Sequence, residues 1–366
     1  MKTFTLERTK NPMLFRVVDR ERNWQHYVLV KSFKEGRGAD SPSFADLEDY
    51  VVLRGVTTIL GKGYAKGEGF ENFLAQHTQA ERDSILASTG ERGDKVHRAI
   101  ESILTFVEPG AKSDVSTLER STGVYSKAKE DYEELGNDEW DMMLSWEQFW
   151  KRHEPVLVSA EEPVYSVVGG YAGTVDALLV ITKECGNKFC GCAGLAGKIG
   201  LYDWKTSSGI YDQHSAQVAA YANAENLGEI LPRGRKVDYA AVLRLGTAHV
   251  STGGYQLASF KRLSEADRYD KSLECGMERF DAAKAIASFG YKGFNLDEVV
   301  DVPDRIEVRV PRDKEKYAVV DVVAETLRDG AVTAARVEVE SVAAGKGKKK
   351  TPAKKSRAAN KQKKKI

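Results

Sequence analysis

Cysteine is scarce in this sequence: four occur in 366 residues. So few, in a chain this long, exclude a disulfide scaffold of the small secreted kind and point to a reducing compartment. No uncharged apolar run of about 18 residues occurs, so no membrane span and no membrane partner is expected. Residues Met1–Arg16 lack the continuous apolar stretch of a secretory signal, and cytoplasmic localisation is expected. Excess charge of one sign is also nearly absent, since 55 Lys and Arg stand against 54 Asp and Glu. That balance hides an asymmetry, because Lys346–Ile366 holds eleven basic residues and no acidic one. Removing those eleven from the 55 leaves 44 basic residues against 54 acidic ones, a mildly acidic body with a strongly basic end. A uniformly basic nucleic-acid binder is excluded. What is present in quantity is apolar material, 42% of residues, enough for a sizeable core.

The pattern along the chain predicts a mixed α/β protein, a sheet flanked by helices. Alternation predicts strands at Leu14–Val18 and His26–Lys31, and Glu35–Ala45 reads as a loop. Helices are predicted over Gly69–Leu104, with an interruption near Thr89–Gly90, and over Gly123–Leu135 and Asp138–Arg152. Three consecutive strands follow at Val156–Tyr165, Ala172–Ile181 and Lys198–Lys205. Then come a helix at Asp212–Asn226 stopped by Gly228, strands at Val237–Leu245 and Gly254–Ser259, and a helix at Ser264–Ala287. The expected organisation is a β-rich N-terminal extension (residues 1–54), a core (55–290), a small α/β extension (291–343) and a disordered Lys-rich tail (344–366). Such a tail attracts polyanions by counterion release with little sequence preference.

The chemistry is concentrated in three segments: Gly173-Thr174-Val175-Asp176, Asp203-Trp204-Lys205-Thr206-Ser207, and Gln217 with Tyr221. Side chains alternate along a strand, so Asp203 and Lys205 share one face while Tyr202 and Trp204 share the other. If the strands of Asp176 and Asp203 are neighbours, two carboxylates and an ammonium converge. Two adjacent carboxylates repel unless a cation lies between them. Oxygen donors beside a lysine suit Mg²⁺, with Mn²⁺ as a substitute, better than zinc. Gln217 and Tyr221, four apart, share a helical face toward the same patch. His97 lies on an earlier helix, one turn before Glu101, and imidazole is a common metal ligand.

In this order the segments resemble the PD-(D/E)XK nucleases, in particular the branch of the RecB nuclease domain, the mitochondrial genome-maintenance exonuclease and phage exonucleases. The resemblance spans about residues 55–225: Gly55–Leu60, Arg92-Gly93 with Val96-His97, Glu162-Pro163-Val164, Tyr171–Asp176, Asp203–Ser207, and Gln217 with Tyr221. It implies a restriction-endonuclease-like core and a DNA exonuclease that hydrolyses phosphodiesters with a metal-activated water. It also implies that His97, Asp176, Asp203 and the Trp204 carbonyl bind metal. Lys205 would orient or activate water, Glu162 would be a further catalytic acid, and Thr206, Ser207, Gln217 and Tyr221 would hold the nucleic acid. Glu161 stands beside Glu162, and only one of the two can share the inward face. The expected partners are DNA strands or ends and a helicase or recombination protein. The setting is phage or bacterial recombination, repair or replication, in the host cytoplasm if phage-encoded. The alternatives are an endonuclease of the same fold and a non-catalytic nucleic-acid-binding protein.

One segment departs from the pattern. The connection between the second and third consecutive strands carries Cys185, Cys190 and Cys192, while Cys275 is remote. An iron–sulfur or zinc site wants four ligands at suitable spacing. With three in view, the connection reads as a surface loop of small residues rather than a metal site.

Overall fold

A computed structural model describes residues 4–289, apart from 20–23, 39–42, 65–66, 113–122, 127–130, 247–253 and 264–267. Strands β1 (Phe4–Arg8), β2 (Leu14–Asp19), β3 (Trp24–Phe33) and β4 (Leu47–Gly55) lead into helices α1 (Val56–Gly63), α2 (Glu68–Gln76) and α3 (Gln79–Leu104). A short hairpin, β5 (Gly123–Ser126) and β6 (Asp131–Glu134), precedes α4 (Asn137–His153) and the strands β7 (Val156–Ser166), β8 (Tyr171–Val180) and β9 (Ile199–Lys205). Helices α5 (Asp212–Ala222) and α6 (Leu227–Ile230) carry the chain to β10 (Tyr239–Arg244) and β11 (Gln256–Lys261), and α7 (Leu273–Ser288) closes the described region.

Among the described residues, nine strands form one mixed open sheet. β1 to β4 make an antiparallel meander, and β4 joins β8 in parallel at Arg54↔Tyr171 and Gly55↔Ala172. The N-terminal β-rich extension is therefore continuous with the core's sheet rather than set apart at residue 54. β8 pairs antiparallel with β7 along its length and with β9 at Ala177–Val180. β9 and β10 are parallel, which a hairpin cannot achieve, and α5 and α6 supply the crossover. Residues Gly173–Asp176 of β8 lie outside both the β4 and the β9 ladders. That gap positions the site.

Helices cover both faces. On one, Val96 and Ile100 of α3 and Trp146, Phe149 and Trp150 of α4 pack on Tyr202, Trp204, Tyr239 and Leu243. On the other, α1, α5 and α7 pack on Leu201, Ala240 and Val242 through Ile59, Val218, Phe280 and Ala283. A Cβ on Gly63 would stand 1.8 Å from the Ala283 carbonyl oxygen, so α1 and α7 approach as they do only because residue 63 has no side chain. Phe15, Val17, Val28 and Val30 of the meander form a third apolar cluster with Phe44 and Leu47.

Four predicted boundaries are corrected. The helical stretch breaks at His77–Thr78, where Thr78 caps α3 in a capping box with Glu81, and α3 runs unbroken through Thr89–Gly90. Residues Gly123–Ser126 and Asp131–Glu134 pair as an antiparallel hairpin and not as a helix, because ladder pairing overrides the helix propensity of the segment. α5 stops at Ala222, before the predicted Asn226, and Gly228 falls inside α6. α7 starts at Leu273, where the Ser272 hydroxyl caps it by accepting from Cys275 N. Residues 291–343 and the tail 344–366 lie outside the described residues. Among the described residues no helix is long and apolar enough to cross a membrane.

Candidate active site

The alternation of β9 holds. Tyr202 and Trp204 enter the aromatic layer, with ring centroids 5.6 and 6.4 Å from that of Phe149. Asp203 and Lys205 point to the opposite face, toward α5. Lys205 Nζ lies 2.6 Å from Asp203 Oδ2, and Gln217 Nε2 donates to Asp203 Oδ1 at 2.9 Å. Oδ2 is buried, with the Lys205 ammonium as its close partner. A buried carboxylate oxygen with a lone pair to spare beside a lysine is a fitting donor for a hard cation.

Asp176 comes to the same place from β8, where the β9 ladder ends. Its Oδ2 accepts the Trp204 backbone N–H at 2.6 Å, replacing the missing ladder bond and joining the two acidic residues through one peptide. His97 Nδ1 of α3 stands 3.5 Å from Asp176 Oδ1. Burial works to raise the Asp176 carboxyl, but the His97 charge, Lys205 and the Trp204 amide outweigh it and hold the group below the usual range. Burial pushes Asp203 up to about 6, with Asp176 adding to the rise and Lys205 opposing it. Burial lowers His97, yet the neighbouring Asp176 more than offsets this and carries it to about 9.

Of the two neighbouring acids of β7, Glu161 rather than the predicted Glu162 stands beside Asp176. The pairs Ala160↔Ala177 and Glu162↔Val175 set Glu161 opposite Asp176, on its face of the sheet. Burial first and Asp176 second push Glu161 up to about 8, and its φ of 50° is left-handed. Glu162 turns the other way, where Ser159 Oγ donates to it and Lys10 Nζ lies 3.9 Å off. The register shift between Leu157 and Ser159 changes which residues of β7 face inward.

The predicted nucleic-acid contacts divide. Gln217 and Tyr221 are buried, Tyr221 only 3% exposed, and Gln217 Nε2 reaches Tyr221 OH at 3.3 Å. Gln217 thus braces Asp203 from the α5 side, and Tyr221 stands against Gln217. Ser207 Oγ donates to Gly209 O at 2.8 Å, and its carbonyl accepts from Arg244 Nε at 2.8 Å, so this residue shapes the turn after β9. Thr206 Oγ1 faces Gly93 of α3, where a Cβ would stand 3.1 Å away. Tyr221 also sits against Gly173, whose added Cβ would lie 2.4 Å from the ring. Gly173→Ala is expected to cost about 1–3 kcal/mol by overpacking and to lower activity through Gln217. Urea unfolding should show much of that cost relieved in Gly173→Ala/Tyr221→Leu.

His214, buried on α5, accepts the Tyr211 N–H at Nδ1 over 3.1 Å. Burial, with Lys205 adding to it, lowers its ionisation to about 3 from an ordinary 6.5. Its folded value is depressed, so the stability linked to neutral His214 is present above pH 6.5 and is lost as pH falls toward 3. His214→Gln should therefore lose less in melting temperature than the wild type between pH 7 and about 4.5.

The cysteine-bearing connection between β8 and β9 also differs from expectation. Cys190, Cys192 and Leu195 are buried against the aromatic layer, and His153, the last residue of α4, brings a fourth donor to the three cysteines. No spacing rule reveals a ligand 32 residues before Cys185; only the fold joins the two. A scan against protein-family models finds no match to this chain, and a search of curated proteins finds none either.

Proposed function

We propose that this chain is a divalent-metal-dependent DNA exonuclease built on a PD-(D/E)XK-type core. The observation carrying the reading is the meeting of Asp176, Asp203 and Lys205 where β8 is left free between two ladders, with His97 and Glu161 alongside. Six short segments in the order of that nuclease family add to it. Acids inside otherwise apolar strands are costly unless they bind something.

Asp176 and Asp203 would hold Mg²⁺, with His97, the Trp204 carbonyl and Glu161 as further donors. The ion would supply Lewis-acid polarisation of the phosphate and charge neutralisation in the transition state. Lys205, its side chain 19% exposed, reaches the surface side of Asp203, where its ammonium can orient a water and hold a phosphate oxygen. Attack of that water on phosphorus breaks the P–O3′ bond, leaving a 5′-phosphate and, after protonation, a 3′-hydroxyl. Gln217 keeps the Asp203 carboxylate fixed, and Tyr221 keeps Gln217 fixed. The eleven basic residues of 346–366 add salt-sensitive affinity for DNA without selecting sequence.

The test is digestion of end-labelled linear single-stranded DNA beside a circle of the same sequence, with Mg²⁺, Mn²⁺ or chelator. Loss of the linear strand alone, abolished by chelator, is expected. Cutting of the circle would make the enzyme an endonuclease of this fold. DNA binding without cleavage under either metal would overturn the proposal in favour of a binding protein.

A further inference from the structure

A cluster of four nitrogen and sulfur donors lies on the face of the sheet opposite Asp203. We infer that His153, Cys185, Cys190 and Cys192 form a mononuclear zinc site that ties α4 to the connection between β8 and β9. The four donor atoms lie within 4.8 Å of one another. Cys185 Sγ and Cys192 Sγ are 3.6 Å apart, and Cys190 Sγ is 3.7 Å from His153 Nε2. A tetrahedral zinc with Zn–S near 2.3 Å and Zn–N near 2.0 Å sets its sulfurs about 3.8 Å apart and sulfur and nitrogen about 3.6 Å apart. These two separations match one ion at the centre, and the 4.8 Å span of the four donors accommodates it. They are too short for an iron–sulfur cluster, which holds its cysteines on separate irons.

The imidazole is already turned for the task. His153 Nδ1 lies 2.9 Å from the Lys183 carbonyl oxygen, to which it can only donate, so the lone pair is on Nε2, facing the cysteines. Tyr255 OH lies 3.0 Å from Nε2 and donates to it in the absence of metal, a hydrogen bond the ion would replace. All four cysteines of the described chain are free thiols. Binding would release the thiol protons to solvent and leave three thiolates on a divalent ion, one net negative charge. Arg152, next to His153, stands close enough to Cys185 and Tyr255 to act on both electrostatically and balances that charge.

The placement explains the long connection. Gly191 N donates to Leu257 O at 3.1 Å and its carbonyl accepts from Ser259 Oγ at 2.8 Å, stitching the cysteine loop to β11. The ion would link this loop to the end of α4, whose Phe149 lies under β9. The centre is structural: four protein ligands close the coordination shell, with no open position for substrate.

The test uses the full chain purified under reducing conditions from zinc-supplied medium, with metal content measured by elemental mass spectrometry. About one zinc per chain is expected, retained in Asp203→Asn and lost in Cys190→Ser and Cys192→Ser. Because those variants can fail to fold, the wild type is also titrated with a mercurial in the presence of a chromogenic chelator. Release of one zinc together with a fall in melting temperature is expected. Cobalt loaded in place of zinc should show thiolate charge-transfer absorption and the intense visible bands of a tetrahedral site. A metal-free protein that gives no such cobalt spectrum would overturn the inference. So would bound iron with cluster absorption, or a mass lower by two hydrogens from a Cys185–Cys192 disulfide.

Discussion

Asp203→Asn is expected to abolish the proposed cleavage while leaving the fold and the proposed DNA binding in place. The expected loss is about a thousand-fold or more, the scale on which removing a charged group from a preorganised site acts. The substitution is isosteric, and its remaining oxygen can still accept from Gln217 Nε2, which now lies 2.9 Å from Asp203 Oδ1. What disappears is the anionic, buried Oδ2 beside Lys205, and in its place an N–H donor faces that ammonium. Lys205→Ala should cost about 10²–10⁴-fold, as expected for a group that handles the water rather than the cation. Gln217→Ala should cost less, about 10- to 100-fold, because a hydrogen bond to a charged group contributes about 1.5–3 kcal/mol and Asp203 stays present. Single-turnover cleavage with saturating enzyme separates these from binding defects, and far-UV circular dichroism checks the fold. Equal losses for Gln217→Ala and Asp203→Asn would show that Gln217 itself touches substrate.

Phe149→Ala should be the most destabilising single change on the other face. The ring is fully buried and packs against Tyr202, Trp204, Tyr255 and His153, with centroids 5.1–6.4 Å away. Truncating such a phenylalanine costs about 3–5 kcal/mol, from lost burial and from the cavity left behind. At about 2–4 °C per kcal/mol for a domain of this size, the melting temperature falls by roughly 6–20 °C. The variant removes the floor under the strand that bears Asp203 and Lys205, so activity should fall at temperatures where the fold is still populated. Urea unfolding measures the loss directly. A cost below about 1 kcal/mol would mean that α4 does not support β9 in solution.

The meeting of Asp203 and Lys205 on one face was legible in the sequence because alternation holds through β9, whereas β8 changes face around Asp176, with Val175 packed on one side of the sheet and Ala177 on the other. A strand buried on both faces announces a functional acid simply by containing one. Glu161 was not, for the opposite reason. β7 carries a register shift and a left-handed residue, and the period of two does not survive either. Gln217 and Tyr221 share one face of α5 as their spacing implies, but helical periodicity does not give their burial or the hydrogen bond of Gln217 to Asp203. The zinc-type cluster was half legible: the three cysteines are local, whereas His153 meets them only through the docking of α4 on the sheet. The hairpin at β5 and β6 was misread because its pairing partner, not its own propensity, decides its conformation. Continuity of the meander with the main sheet was likewise invisible, since it rests on two residue pairs between β4 and β8.

The most direct measurement is Mn²⁺ binding followed by electron paramagnetic resonance, with a single-stranded oligonucleotide present, on the wild type, Asp176→Asn, Asp203→Asn and Cys190→Ser. The account predicts that the wild type and Cys190→Ser take up Mn²⁺ at the acidic site and that both aspartate variants lose it. Binding undiminished in Asp203→Asn, or none in the wild type, would contradict it.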